Sequence, residues 1–295
     1  MFQTAIPTRS IGFLGLIGLL LSAGCQVRNE LDTPAPSPAS NTPQGEGSLQ
    51  IQANGEDFVR QGFTTVDGWE LSFDQVNATF GSIAAYQTDP PFDATGDADP
   101  QIQQQVSISE PITVDLAADT PGNGEIDASP IVLATLTAPA GHYNALAWSL
   151  VRPADTPTAY PLVLQGQAQQ ADRQIPFTLQ LEQELRFLCG DYVGDDRKGF
   201  VQPDQTGSVE MTLHFDHLFG DAALPAEDEL NQGALGFGPI AAIAATRAPD
   251  SPDSPDSIVV TESQLRSKLS PTDLTKLDEI LRNLGHVGEG HCRSL

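Results

Sequence analysis

VEMTLHFDHLFGD, residues 209–221, is the stretch from which the chain is best read. Val209, Met211, Leu213 and Phe215 alternate with Glu210, Thr212, His214 and Asp216, the period-two pattern of a half-buried strand. On such a strand His214 and Asp216 share the polar face, about 7 Å apart at roughly 3.3 Å rise per residue. An imidazole and a carboxylate so placed can converge on one cation. His217 breaks the alternation and belongs to the strand end, where Phe219, Gly220 and Asp221 turn the chain.

The same alternation extends back toward the N-terminus. Leu49 to Ile51 begins it, and Trp69, Leu71 and Phe73 continue it after a turn at Asp67-Gly68. Val76, Ala78 and Phe80 resume one residue out of phase, which predicts a bulge near Asp74 and Gln75. A short strand follows at 112–116. Residues 131–138 and 142–151 predict a hairpin around Pro139, Ala140 and Gly141, and residues 162–169 and 174–188 a second pair around 170–173. About seven to nine strands without intervening helices predict a mainly β fold, an antiparallel β-sandwich over residues 48–247. That length suffices for one hydrophobic core.

Beyond Ala234 the composition shifts. A Gly/Ala-rich stretch carries Pro239 where a short helix would begin, and residues 248–257, with a Pro-Asp-Ser repeat, read as a linker. Residues 258–295 predict a small helical pair packed on the sandwich. Thr261 with Gln264, and Ser270 with Asp273, form capping patterns, the second followed by Pro271 at the first helical position. Leu274, Leu277, Ile280, Leu281 and Leu284 make a helical stripe, with Gly285 expected just past its end. The tail GHVGEGHC, residues 285–292, then delivers His286 and His291.

At the other end, Arg9 precedes an apolar run at 11–21, and the run ends in small residues before Cys25. The run is shorter than the roughly 20 residues of a spanning helix. This arrangement resembles a bacterial lipobox, with Ser22 where leucine is usual. The resemblance implies a signal peptide over residues 1–24, acylation of Cys25 and anchorage to a lipid bilayer. Residues 25–47, rich in Pro, Ser, Thr and Asn, read as a disordered tether. The expected location is the cell envelope, on the periplasmic side of the outer or inner membrane or at the cell surface.

Lys and Arg total 14 against 39 Asp and Glu, a formal net charge of −25. Such a surface repels phosphate backbones and excludes nucleic acid as a partner, while it attracts cations and basic groups. With Cys25 acylated, Cys189 and Cys292 remain as an even pair in an oxidising compartment, and a disulfide between them is the expected state. The alternative is two thiolates completing a Cys2His2 zinc site with His214 and His217.

Four of the five histidines lie in the two segments at 214–217 and 286–291. A Cys189–Cys292 bridge would carry His291 toward the strand bearing His214, if that strand pairs with the one ending at Cys189. The predicted metal site is His214, His217 and His291, with Asp216 and His286 in support and Asp191, Asp195 and Asp196 as further carboxylates. Imidazole with carboxylate suits zinc or copper(II). Calcium is the lesser option: Asp89, Asp93, Asp97 and Asp99 crowd one loop. A second acidic run, from Asp119 to Asp127, fails as an EF-hand because prolines stand at ligand positions and reads better as a turn at Gly122-Asn123-Gly124. His142 reads as a structural histidine.

Thr212 to His217 also resembles the HxHxDH segment of metallo-β-lactamase-fold hydrolases, but Thr212 replaces the first histidine and the preceding all-β pattern does not fit that fold. No HExxH, GxSxG or P-loop motif occurs. The segments GEDFVRQGF, DGWELSFD, APAGHYNALAW, CGDYVGDDRKGF, HFDHLFGD and GHVGEGHC resemble uncharacterised bacterial, particularly cyanobacterial, lipoproteins, a resemblance that implies no activity. The expected function is an envelope lipoprotein that binds zinc or copper through its histidines. The alternatives are a metal-free structural or adhesion-type module with a protein partner in the envelope and, third, a metal-dependent hydrolase.

Overall fold

Two β-sheets enclose one hydrophobic core in the computed structural model, which describes residues 45–118, 129–246 apart from 155, 157 and 158, and 257–295. The expected signal peptide and nearly all of the tether, the turn around Asn123 and most of the linker lie outside these residues. Among the described residues no helix is long and apolar enough to cross a membrane.

The smaller sheet runs Gly290–His291, Gly285–Val287, Thr206–Leu213, Glu46–Asn54, Ile131–Pro139. The larger runs Ile258–Thr261, Arg173–Leu181, Leu162–Gln170, Glu70–Thr88, Ala145–Leu150, Leu185–Cys189, Arg293–Ser294, with three short strands also paired to Glu70–Thr88. Leu49, Ile51, Met211 and Leu213 of the first sheet share a core with Phe80, Trp148 and Phe187 of the second. Trp148 packs against Phe187 at 4.5 Å between ring centroids and against Phe80 at 5.5 Å, the planes tilted by 40° and 51°. Such aromatic pairs add about 0.5–1.5 kcal/mol each beyond the area they bury.

The mainly β sandwich, the bulge between Phe73 and Gln75, and the hairpin of Leu162–Gln170 with Arg173–Leu181 agree with the sequence reading. So do the capping box at Thr261 and Gln264, the Ser270 cap on Pro271–Arg282, and Pro239 in the first turn of Gly238–Ala245.

Other details differ. The sheets are not purely antiparallel: Glu46–Asn54 pairs parallel with Thr206–Leu213, and Arg173–Leu181 parallel with Ile258–Thr261. Residues 131–139 and 145–150 do not form a hairpin. The first pairs with Glu46–Asn54 and the second with Glu70–Thr88, so the chain crosses between sheets at Pro139–Gly141. Gln87 holds that crossing by donating to the Pro139 carbonyl. The long arm predicted at 174–188 is two strands, broken at Glu182–Glu184, where the buried Glu262 carboxylate accepts from the Glu182 and Gln183 amides.

The strand of the opening stretch ends at Leu213, and Glu210, Thr212 and His214 are buried along with the apolar positions. One face meets the core, and the other lies under the C-terminal tail and Lys198, which pairs with Glu210. His214 and Asp216 therefore do not share a strand face. Asp216–Phe219 is a single helical turn, closed by Gly220 at φ 70°, where a Cβ would lie 2.5 Å from Val66.

The strand ending at Cys189 and the strand bearing His214 belong to different sheets, so the pairing expected between them does not occur. The tail joins the two sheets instead. Gly285–Val287 adds to the edge of Thr206–Leu213, and Arg293–Ser294 adds to Leu185–Cys189. Cys292 lies between these additions, bonded to Cys189 with sulfurs 2.01 Å apart. That bond excludes the two-thiolate zinc alternative. Gly285 is not a helix terminator: Asn283 caps the helix, and Gly285 sits in the sheet with Phe187 so close that a Cβ would fall 2.6 Å from its ring. Gly285→Ala should therefore lose about 2 kcal/mol through overpacking. Urea unfolding reads this as a lower midpoint at unchanged slope.

Candidate metal centre

His214, Asp216, His217, His286 and His291 all line one cavity. Three backbone devices bring them there. His214 follows the last strand residue, held in the ladder by its amide bond to the Leu284 carbonyl. Asp216 and His217 open the helical turn that follows. His286 lies opposite Thr212 in the added edge strand and opposite His291 in a two-residue hairpin turned by Gly288-Glu289. Gly288 has φ 59°, and a Cβ there would meet the Val193 carbonyl at 2.1 Å, so glycine is required for both turn and approach.

His214 and His286 stack, ring centroids 3.9 Å apart and planes 16° from parallel. His217 lies 5.1 Å from His286 and 5.9 Å from His214. Among the described residues, His214, His217 and His286 form a group that could hold a metal ion, one ring nitrogen of each lying within 4.8 Å of the others. Zinc–nitrogen bonds of about 2.0–2.1 Å span about 3.3 Å along a tetrahedral edge, so small rotations of the rings close the set.

The hydrogen bonds fix which nitrogens face the centre. His214 Nε2 lies 3.1 Å from the Gly288 carbonyl, an acceptor only, so Nε2 carries the proton and Nδ1 keeps its lone pair. His286 Nε2 likewise donates to the Asn283 carbonyl at 2.9 Å. Its Nδ1 is buried and has no hydrogen-bond partner. Nor has Asp216 Oδ1, which lies 3.9 Å from His214 Nδ1. Two buried acceptors without donors, beside two more imidazoles, form a cluster whose lone pairs could hold a cation.

Electrostatics agree with that reading. Burial pushes the His214 pKa down, and burial with the neighbouring imidazoles takes His217 to about 4 and His286 far below the usual histidine range. All three imidazoles are therefore neutral at pH 7, the form in which they could bind a metal. Burial, then the nearby Asp221 and Glu289 carboxylates, raises Asp216 to about 6.

Glu56 completes a second group with His214 and Asp216. Its carboxyl lies 3.2 Å from His214 Nε2, and burial together with Asp216, Glu289 and Asp57 raises it to about 8. Both partners are driven toward their neutral forms, which weakens the ion pair between them. The contact orients the ring from outside, as carboxylates do for metal-bound histidines. Glu56 also holds φ 61°, a strained conformation for a side-chain-bearing residue, steadied by its amide bond to Asn54 Oδ1.

Sequence reasoning missed Glu56 and Glu289 and ranked His291 above His286. The structure reverses that rank: His286 is 2 % exposed, whereas His291 is solvent-facing, 4.4 Å from His286 and 5.7 Å from His217 between ring centroids. Asp191, Asp195 and Asp196 do not join the site. Asp191 pairs with His142, which stacks on Phe200, and the other two are exposed. The acidic loop proposed for calcium is clasped by Arg293, which binds the Gly96 and Ala98 carbonyls and Asp99.

Asp216→Asn tests the electrostatic account. Above pH 6 the native carboxylate is ionised in a site that disfavours the charge, so the amide should stabilise the metal-free protein at pH 7.5, by at most about 3 kcal/mol. Zinc affinity should fall about tenfold or more, as for other groups flanking metal sites. Calorimetry of both forms checks the opposed signs. Compared with protein-family models, with curated proteins and with solved structures, the chain matches none.

Proposed function

We propose that this protein binds a divalent transition metal, zinc or copper, through His214, His217 and His286, on a domain held to the cell envelope by an acylated Cys25. The observation that carries the metal reading is the buried, unpartnered Nδ1 of His286 within reach of the other two imidazoles. An all-nitrogen set flanked by carboxylates suits zinc or copper(II) over magnesium or calcium. Asp216 supplies negative charge beside the ion, and Glu56 and the Gly288 carbonyl orient His214. The support for anchorage is the small-residue run before Cys25.

Elemental analysis of the mature protein, purified without a histidine tag and exposed to equimolar zinc, should find one ion per chain. His214→Ala with His217→Ala should remove it. Metal-free protein with no affinity for zinc or copper, and stability unaffected by the double substitution, would support the structural module instead. Incorporation of radiolabelled palmitate, lost in Cys25→Ser, tests the anchor.

A further inference from the structure

The histidine cluster is one wall of a cavity of about 450 Å³. One water occupies about 30 Å³ of liquid volume, so the space far exceeds an ion and its hydration. It falls within the roughly 300–1,000 Å³ of small-ligand pockets. The facing wall is built from two other helices: Glu229, Leu230 and Gly233 from one, Glu279 and Ile280 from Pro271–Arg282, with Glu289 on the hairpin turn.

We propose that the bound metal keeps one coordination position open to this cavity, and that its occupant is a small, positively charged nitrogen ligand of the amine–imidazole class and not an anion. The proposal rests on the metal reading above. Three observations lead to it. First, the donors are one-sided: His214, His217 and His286 make one group, and Asp216 falls only in the other group, with Glu56 and His214. Three protein ligands leave the fourth tetrahedral position to an exogenous group, the arrangement of an open zinc site. Second, His286, whose Nδ1 is buried and has no hydrogen-bond partner, is itself one of the residues lining the cavity, so a metal held by the three imidazoles would sit at its wall. Third, the rim is single-signed. Glu229, Glu279 and Glu289 are among the cavity's lining residues, and among the described residues neither Lys nor Arg lines it. A carboxylate or phosphate guest would meet repulsion there, whereas an ammonium would be drawn in. Leu230 and Ile280 offer apolar contact for a short methylene chain or ring.

Cobalt(II), whose visible bands report its own coordination sphere, provides the test. The mature, untagged protein is loaded with cobalt and titrated with histamine or with imidazole-4-acetate. These two probes share a ring and carry opposite charges. Histamine should change the visible spectrum and bind at least about tenfold more tightly than imidazole-4-acetate, with cobalt remaining on the protein through gel filtration. Glu229→Gln with Glu279→Gln should reduce that preference about threefold or more and make it less sensitive to salt. Equal affinities for the two probes would overturn the charge argument. An unchanged spectrum with cobalt still bound would mean that the sphere is already full, filled by Asp216 or His291, and would overturn the open position while leaving the metal reading intact. Failure to bind cobalt at all would overturn both.

Discussion

Replacing Cys189 and Cys292 together by alanine will destabilise the domain by about 4 kcal/mol and weaken zinc binding by at least about tenfold. The bond closes a loop across a sequence separation of 103 residues. For a loop near 100 residues, chain entropy alone accounts for about 4.7 kcal/mol, of which measured values usually deliver somewhat less. Both cysteines are buried, and Cys189 Sγ also accepts from the Trp148 indole at 3.2 Å, so the alanine pair leaves a small cavity and an unpaired donor as well. The effect on zinc follows from position. Cys292 adjoins His291 and lies between the two edge strands that the tail contributes, one carrying His286. Without the bond, Gly285–Val287 and Gly290–His291 are held by short ladders and a few hydrogen bonds from Val193, Thr212 and His214, and more of the ordering of His286 must come from the metal's own binding energy. Urea unfolding of the double variant checks the first part and a competition titration with a chromogenic chelator the second. A loss below 1 kcal/mol would mean that the tail is held by its strands alone.

Zinc at about a thousand times its dissociation constant should stabilise the wild-type protein by about 4 kcal/mol. For a domain of this size that corresponds to a rise of about 10 °C in the melting temperature. The increment should vanish in His214→Ala with His286→Ala. It should also grow from pH 6 to pH 8, and the sign follows from the site's carboxyl groups. The Glu56 pKa is raised to about 8 from 4.5, so its contribution to metal-free stability is fully present below pH 4.5 and is lost as the pH climbs through 8. A divalent cation held by His214, which Glu56 touches, would offset that loss by stabilising the ionised carboxylate. Binding therefore releases protons and tightens with pH. His217 acts at the other end: its pKa is lowered to about 4, so its contribution is present above 6.5 and is lost as the pH falls through 4. Differential scanning fluorimetry across pH 5–8, with and without zinc, separates the two. An increment that shrank as the pH rose would contradict the placement of Glu56 beside the ion.

The parts of this molecule that were legible in the sequence are those set by local pattern. Alternation marked the strands, the bulge at Phe73–Gln75 was visible as a change of phase, and Thr261 with Gln264 announced a helix start. The parts that were not legible depend on which strands meet. Asn54 reaches its place opposite Thr212 through a parallel pairing between segments more than 150 residues apart, and that pairing brings Glu56 to His214. Nothing local encodes such a partner. The order of His286 and His291 was misjudged for a similar reason. Val-Gly-Glu-Gly is a hairpin turn, and once Gly285–Val287 joins the sheet edge His286 falls under cover while its cross-strand neighbour stays outside. The helix boundary at Asn283 shows the same limit: Gly285 looked like a terminator but is small because Phe187 occupies the space above it.

X-ray absorption spectroscopy of the zinc-loaded protein measures the gathering of imidazoles most directly. Three imidazole nitrogens and one further light atom at about 2.0–2.1 Å, with the outer-shell scattering of the rings, are the predicted result. A sphere of oxygens alone, or a spectrum indistinguishable from hydrated zinc, would show that His214, His217 and His286 do not act together.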